Sequence, residues 1–350
     1  MAKKILLALF GLALAVVLGE AAVRVCGLGP DIHGIRRGTI RLTPDPGLKY
    51  ELLPNVQTPE GEVLVNEFGM RNRPIALEKP AGVRRVACLG DSIAFGMGAR
   101  RETFSVQLER ELNAAVEGGG KWEALNFGVP GYHIGQVAAM LTGRAARFAP
   151  DEVLYLYCLN DPQDTSKELE EILRADGMTA ARRDYLGQVW EGARSGLGRS
   201  QLWQLIRLAW AERRAGGAVP VERHRDDMEH LRAGRGEAHY RALYGDPAAK
   251  ERLKDGMARI GQWSRESGVR VRVVVFPVFQ GLAAYRLGDL HEAVRQAAEA
   301  EGLSVLDLLR VYQAEEQSGG EPFQADPLHP NERGYGIAAR AVAVAMGAQP

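Results

Sequence analysis

An uncharged, mostly apolar run from Ile5 to Leu18 opens the chain, with Lys3 and Lys4 before it and Glu20 and Arg24 after it. Paired lysines ahead of such a run are the layout of an export signal. Positive charge on that side places the N-terminus inside and the remaining chain outside the membrane. The run is about fourteen residues long, short of the roughly twenty that span a bilayer, and extending it through Val23 brings Glu20 inside. No clear cleavage site follows, so a retained anchor and a removed leader both stay open. The expectation is an extracytoplasmic protein with the membrane as a partner through its first 28 residues.

From residue 27 to about residue 84 the pattern changes to Pro, Gly and short extended stretches such as Thr39–Leu42 and Glu62–Asn66, with no long helical period. This predicts an accessory or linker segment over residues 29–84. Beyond it, apolar runs that predict buried strands alternate with segments at helical spacing. The strands are Val83–Leu89, Ala124–Phe127, Glu152–Tyr157, Val269–Phe276 and Leu303–Leu306, and the helices are Thr103–Val116, Ile134–Phe148, Pro247–Ser267, Leu290–Ala300 and Gly334–Met346. About five strands alternating with helices make a doubly wound parallel sheet, whose ligand site lies at the carboxyl ends of the strands. The domain runs over 85–350, with a helical insertion over about 163–246. Trp203, Ile206 and Trp210 recur there at helical spacing, which predicts a stripe packed on the core, with a lid or membrane-facing surface as the other reading.

Composition then narrows the partners. Lys plus Arg equals Asp plus Glu at 44 each, so no basic excess exists to neutralise a phosphate backbone and nucleic acid is not expected. Cys26, Cys88 and Cys158 have neither metal-site spacing nor the number for a disulfide framework. No metal or organic cofactor is implied. The chain lacks a Gly-x-Ser-x-Gly elbow, a Walker-type phosphate loop and a His-Glu-x-x-His pair, which disfavours a standard α/β-hydrolase, an NTPase and a zincin.

The polar motifs sit where the predicted strands end. A serine nucleophile needs a base, and the base needs a carboxylate to fix its tautomer. Ser92 follows a strand and Gly90, while Asp326-Pro327-Leu328-His329 sets a carboxylate and an imidazole three residues apart. Donors for an oxyanion are available at Ser92, near Gly131 and at Asn160, provided their strands are neighbours. His133 and His291 are read as surface or capping histidines, and Asp164 as a helix cap or a pocket residue.

Gly90-Asp91-Ser92, Asn126-Phe127-Gly128-Val129-Pro130-Gly131, Asn160-Asp161 and Asp326-Pro327-Leu328-His329-Pro330-Asn331 follow one another in the order of the SGNH/GDSL hydrolase blocks, and over about residues 85–345 the chain resembles that family. The resemblance implies a flavodoxin-like three-layer α/β/α sandwich. It implies Ser92 as nucleophile, His329 as general base, Asp326 as its partner, and Gly131 and Asn160 completing an oxyanion hole with the Ser92 amide, Gly128 being the less favoured donor. Val65-Asn66-Glu67-Phe68-Gly69-Met70-Arg71 and the N-terminal segment are similar to a membrane-tethered bacterial subgroup. One departure is Cys158, where the family usually has glycine two residues before the asparagine; its side chain either narrows the pocket or points into the core. The implied activity is hydrolysis of an acyl ester, first an O-acetyl group on a glycan and next a lipid or short-chain ester. An O-acyltransferase with the same triad and a non-catalytic glycan-binding or assembly protein of the same fold are the rival readings.

Overall fold

In the computed structural model the described residues are 2–25, 40–43, 45–57, 63–115, 121–164, 200, 202–203, 206 and 230–348. Helix α1 (Ala2–Val25) is followed by two short antiparallel pairs, β1 (Ile40–Leu42) with β2 (Tyr50–Leu52), and β3 (Val56–Gln57) with β4 (Val63–Val65). Among the described residues no helix is long and apolar enough to cross a membrane. Leu14, Val16, Val17 and Leu18 of α1 are exposed, while Val23 is buried. The Glu20 carboxylate accepts from Ser200 Oγ at 2.7 Å and from the Leu202 amide at 2.9 Å.

The apolar runs become the central sheet: β5 (Val83–Gly90), β6 (Lys121–Asn126), β7 (Glu152–Tyr157), β8 (Arg270–Val275) and β9 (Ser304–Asp307). All pairings are parallel, in the order β6-β5-β7-β8-β9. The first strand of the sheet therefore lies between the second and the third, the flavodoxin-like order, and its carboxyl end is the topological switch point. β7 is buried along its whole length, as a middle strand covered on both faces must be.

Helices close both faces. After the single turn α2 (Ser92–Phe95) come α3 (Phe104–Ala114), α4 (Ile134–Gly143), α5 (Gly236–Gly245), α6 (Pro247–Ser267), α7 (Gly288–Glu299), α8 (Leu309–Gln317) and α9 (Glu332–Ala345). α3 packs against α9, and α6 packs against both α4 and α7. Local chemistry sets their ends. Thr103 accepts from the Val106 amide to start α3, and Asp246 accepts from Ala248 beside a proline in the first turn of α6.

Several sequence expectations change here. Trp203 and Ile206 are exposed, not packed on the core; Trp210 and most of the insertion lie outside the described residues. α8 has no counterpart in the predicted elements. His291 is neither a surface nor a capping residue: it is buried, with Nδ1 2.9 Å from Asp307 Oδ2 and Nε2 2.8 Å from the Tyr285 hydroxyl. Cys88 and Cys158 are buried thiols, and Cys158 points into the hydrophobic cluster, the second of the two readings of that departure. Cys26 lies outside the described residues.

The described residues just before the sheet are tied to it: Asn72 donates to the Ala124 carbonyl at 3.0 Å and accepts from the Asn126 amide. Arg85 of β5, fully buried, donates to Glu123 at 3.0 Å and to the carbonyls of Ala76, Leu77, Glu78 and Phe148. A buried charge is tolerated when its donors are satisfied in this way.

Candidate active site

β5 ends in Gly90, whose φ of 148° belongs to glycine, and an added Cβ would lie 2.6 Å from the Leu156 carbonyl oxygen. The chain turns there into α2, with Asp91 as its cap: Asp91 Oδ1 accepts from the Ile93 amide at 2.9 Å. Ser92 is thereby presented at the first position of α2, over the switch point.

The segment before α9 brings a histidine to the serine. Asp326 Oδ1 accepts from the Leu328 and His329 amides at 2.9 and 2.8 Å, folding Asp326–His329 into one turn. The same turn brings His329 Nδ1 to 2.8 Å from Asp326 Oδ2. His329 Nε2 then stands 2.9 Å from Ser92 Oγ. With Nδ1–H donated to the carboxylate, Nε2 carries the lone pair that faces the serine. Burial raises the Asp326 carboxyl, but the hydrogen bond and charge of His329, with the two amides, outweigh it and hold it below its ordinary value. Ser92 and His329 are both buried, at 8% and 7% exposure, so water is limited but a ligand atom can reach them.

Asp91 was visible only as part of the Gly-Asp-Ser block, and the structure gives it a place. Its Oδ2 is 3.2 Å from Ser92 Oγ, a second acceptor competing with the closer His329. Burial raises its carboxyl; the Ile93 amide, the His329 charge and Ser92 oppose that rise without cancelling it.

Gly131 and Asn160 follow β6 and β7, the strands on either side of β5, which meets the requirement that their strands be neighbours. The two loops are tied together by the Ile134 amide, which donates to the Asp161 carbonyl at 2.9 Å. Gly131 has φ 78° and needs its glycine. Gly128 is committed elsewhere: its amide donates to Asn126 Oδ1 at 3.0 Å, and an added Cβ would lie 2.0 Å from the Phe95 nitrogen. Asn160 Oδ1 is buried with no hydrogen-bond partner among the described residues.

Around this centre, Asp161 accepts from the Tyr155 hydroxyl at 2.5 Å; burial and the Asp91 charge push its carboxyl well above the carboxylate range. His133 caps α4, its Nδ1 accepting from the Gly135 amide at 3.0 Å. Burial lowers its pKa to about 4 against the opposing pull of Asp164, and Arg252, Lys49 and Arg259 lower it further. Its contact with Asp164 at 3.7 Å is therefore not an ion pair at neutral pH. Asp164 itself is exposed. Arg71 and Glu332 both touch the loop after α2, and neither was singled out as a site residue.

A parallel five-stranded α/β/α sheet with a serine, a histidine and a carboxylate gathered at its switch point defines a class, the α/β/α ester hydrolases. The sequence profile of the GDSL-like lipase/acylhydrolase family matches residues 88–337, and the chain belongs to that family. No curated protein matches it by sequence. Among solved structures it is similar to a two-domain esterase active on acetylated mannans, co-crystallised with mannopentaose, at 11% identity and TM-score 0.42 over 75% of this chain and 49% of that one. The chain thus spans about half the length of that enzyme. It is also similar to a lipase/acylhydrolase from Enterococcus faecalis, at 14% identity and TM-score 0.41 over 75% of this chain and 95% of that one. A catalytic mutant of an acetylxylan esterase from Geobacillus stearothermophilus gives 14% identity and TM-score 0.43 over 76% and 95% of the respective chains.

Proposed function

We propose that the protein is a serine esterase that removes an acyl group, first of all O-acetyl from a glycan, through an acyl-enzyme on Ser92. The observation that carries this reading is the continuous line Ser92 Oγ, His329 Nε2, His329 Nδ1, Asp326 Oδ2, at 2.9 and 2.8 Å. Ser92 Oγ attacks the ester carbonyl and its proton passes to His329 Nε2, while Asp326 stabilises the resulting imidazolium. The oxyanion is met by the Ser92 amide, the Gly131 amide and the Asn160 carboxamide. Collapse breaks the ester C–O bond, the alcohol leaves with the proton from His329, and water repeats the sequence to free the acid and Ser92.

We also propose that the N-terminal segment exports the chain, supported by exposed Lys3 and Lys4 and by the exposed apolar positions 14 and 16–18 of α1. Fractionation of cells that produce the full chain tests this: recovery wholly in the cytoplasm overturns it.

The activity is tested with the detergent-solubilised full chain and p-nitrophenyl acetate, beside Ser92→Ala. Hydrolysis by the parent that disappears in the variant is expected. Equal activity in both overturns the role of Ser92. Absence of hydrolysis in a folded parent, with turnover appearing only when a sugar acceptor is added, would make it an acyltransferase.

A further inference from the structure

The loop between α2 and α3 is held from two sides. Its carbonyls converge on one guanidinium: Arg71 Nη1 donates to Phe95 O and Gly96 O at 3.2 and 2.9 Å, and Nη2 to Ala99 O and Arg100 O at 2.8 and 2.9 Å. Arg71 is 7% exposed, and its guanidinium stacks 4.6 Å from the centre of the Phe95 ring. The loop's amides converge on one carboxylate: Glu332 Oε1 accepts from Arg100 and Arg101 at 3.0 Å each and from Glu102 at 3.4 Å.

These anchors belong to different parts of the chain. Arg71 closes the Val65–Arg71 block that precedes the sheet, whereas Glu332 lies three residues after His329. The loop itself begins at the nucleophile, since the Met97 amide donates to Ser92 O at 2.9 Å. It also touches the histidine segment: an added Cβ at Gly98 would lie 2.3 Å from Pro330 O, and Tyr335 of α9 donates to Met97 O at 2.8 Å. Loop 96–102 is thus a strut between Ser92 and His329.

We infer that Arg71 is a positioning residue which, acting with Glu332 through loop 96–102, sets the separation and angle between Ser92 Oγ and His329 Nε2. Four carbonyl oxygens facing inward require one planar cation with several donors, which lysine's compact ammonium supplies incompletely. Burial lowers the Arg71 pKa to about 10, so it keeps its charge at neutral pH beside the carbonyls it holds. Since the nucleophile and base must keep near-attack geometry, a small shift of the strut reaches the chemical step and leaves binding nearly untouched.

The kinetic consequence rests on the esterase reading; the structural one does not. In the full chain, Arg71→Met is expected to lower kcat by about 10²-fold with KM nearly unchanged. Arg71→Lys should recover part of that loss. Amide hydrogen exchange at Arg100–Glu102 should accelerate in Arg71→Met while exchange in β7 does not, a measurement that needs no substrate. If Arg71→Met fails to fold, Glu332→Ala should give the same kcat defect and the same local exchange. An active parent with unchanged kcat in the folded variants overturns the positioning role. An inactive parent counts against the esterase reading alone, and the strut is then decided by exchange, where unchanged protection overturns it.

Discussion

His329 with Asp326 and His291 with Asp307 are built from the same atoms, yet the two pairs differ in what the second imidazole nitrogen meets. In both, Nδ1 lies within 2.9 Å of a carboxylate oxygen. In the first, Nε2 faces the Ser92 hydroxyl at the mouth of the switch point; in the second, it faces the Tyr285 hydroxyl, which also accepts from the Val278 amide at 3.1 Å. Burial pushes the Tyr285 hydroxyl far above its ordinary value, with the Val278 amide opposing, so the phenol stays neutral. The second pair instead braces the loop after β8, and the Phe279 amide of that loop donates to Pro327 O at 2.8 Å beside Asp326. What a histidine–carboxylate pair can do is set by the group on its far side: a serine hydroxyl open to a ligand suits the proposed catalysis, a buried tyrosine suits bracing.

The sharpest way to break the contrast is to remove its distinguishing atom. Ser92→Ala is expected to lower kcat by about 10⁶-fold, and adding a His329 substitution should cost little more because the residues act as a unit. Residual turnover within tenfold of the parent, measured with p-nitrophenyl acetate, would mean that the two pairs do not differ as described.

Matched substitutions of the two carboxylates come next. Asp326→Asn should cost about 10⁴-fold in kcat by favouring the wrong histidine tautomer, whereas Asp307→Asn should leave kcat near the parent value. Similar losses from both would erase the distinction.

Stability should show the reverse order. His291→Leu strips Asp307 and Tyr285 of a buried partner and should cost about 1–3 kcal/mol in urea unfolding, with esterase activity retained in the folded fraction. Unchanged stability would remove the bracing role.

The smallest effect concerns His133, which shares the fate of neither pair. Its folded pKa of about 4 lies below the unfolded value of about 6.5. The unfolded chain therefore takes up the proton first, so stability is full above pH 6.5 and falls as pH drops toward 4. His133→Asn, which keeps a side-chain acceptor for the cap, should flatten that part of the profile. Asp326 acts lower on the scale: its depressed carboxyl contributes stability above its ordinary range that is lost as pH falls through the folded pKa.

Much of the sheet was legible because parallel strands buried on both faces leave unbroken apolar runs. Glu152–Tyr157 and Pro247–Ser267 were predicted with the bounds the structure gives. The insertion was harder, since a helical period in Trp203 and Ile206 shows that one side is apolar without showing what covers it. At the site, Ser92, Asp326 and His329 stood out by local spacing and by likeness to a family. Arg71 lay inside a quoted block with no visible role, because carbonyl groups leave no trace in side-chain identity. His291 gave no signal either, its partner Asp307 lying on another element.

The sequence by itself determined the strands of the central sheet, most of the helices around it, the order of the polar blocks and the closeness of Asp326 to His329, all of which depend on contacts a few residues apart. Only the tertiary structure decided which histidine faces a serine, which carboxylate is caged beside Ser92, and which buried cation holds the loop between nucleophile and base. The first depends on strand order and on residues brought together from more than two hundred positions apart, as Ser92 and His329 are, and the other two on the path of the backbone around the turn after β5; local periodicity carries no information about either.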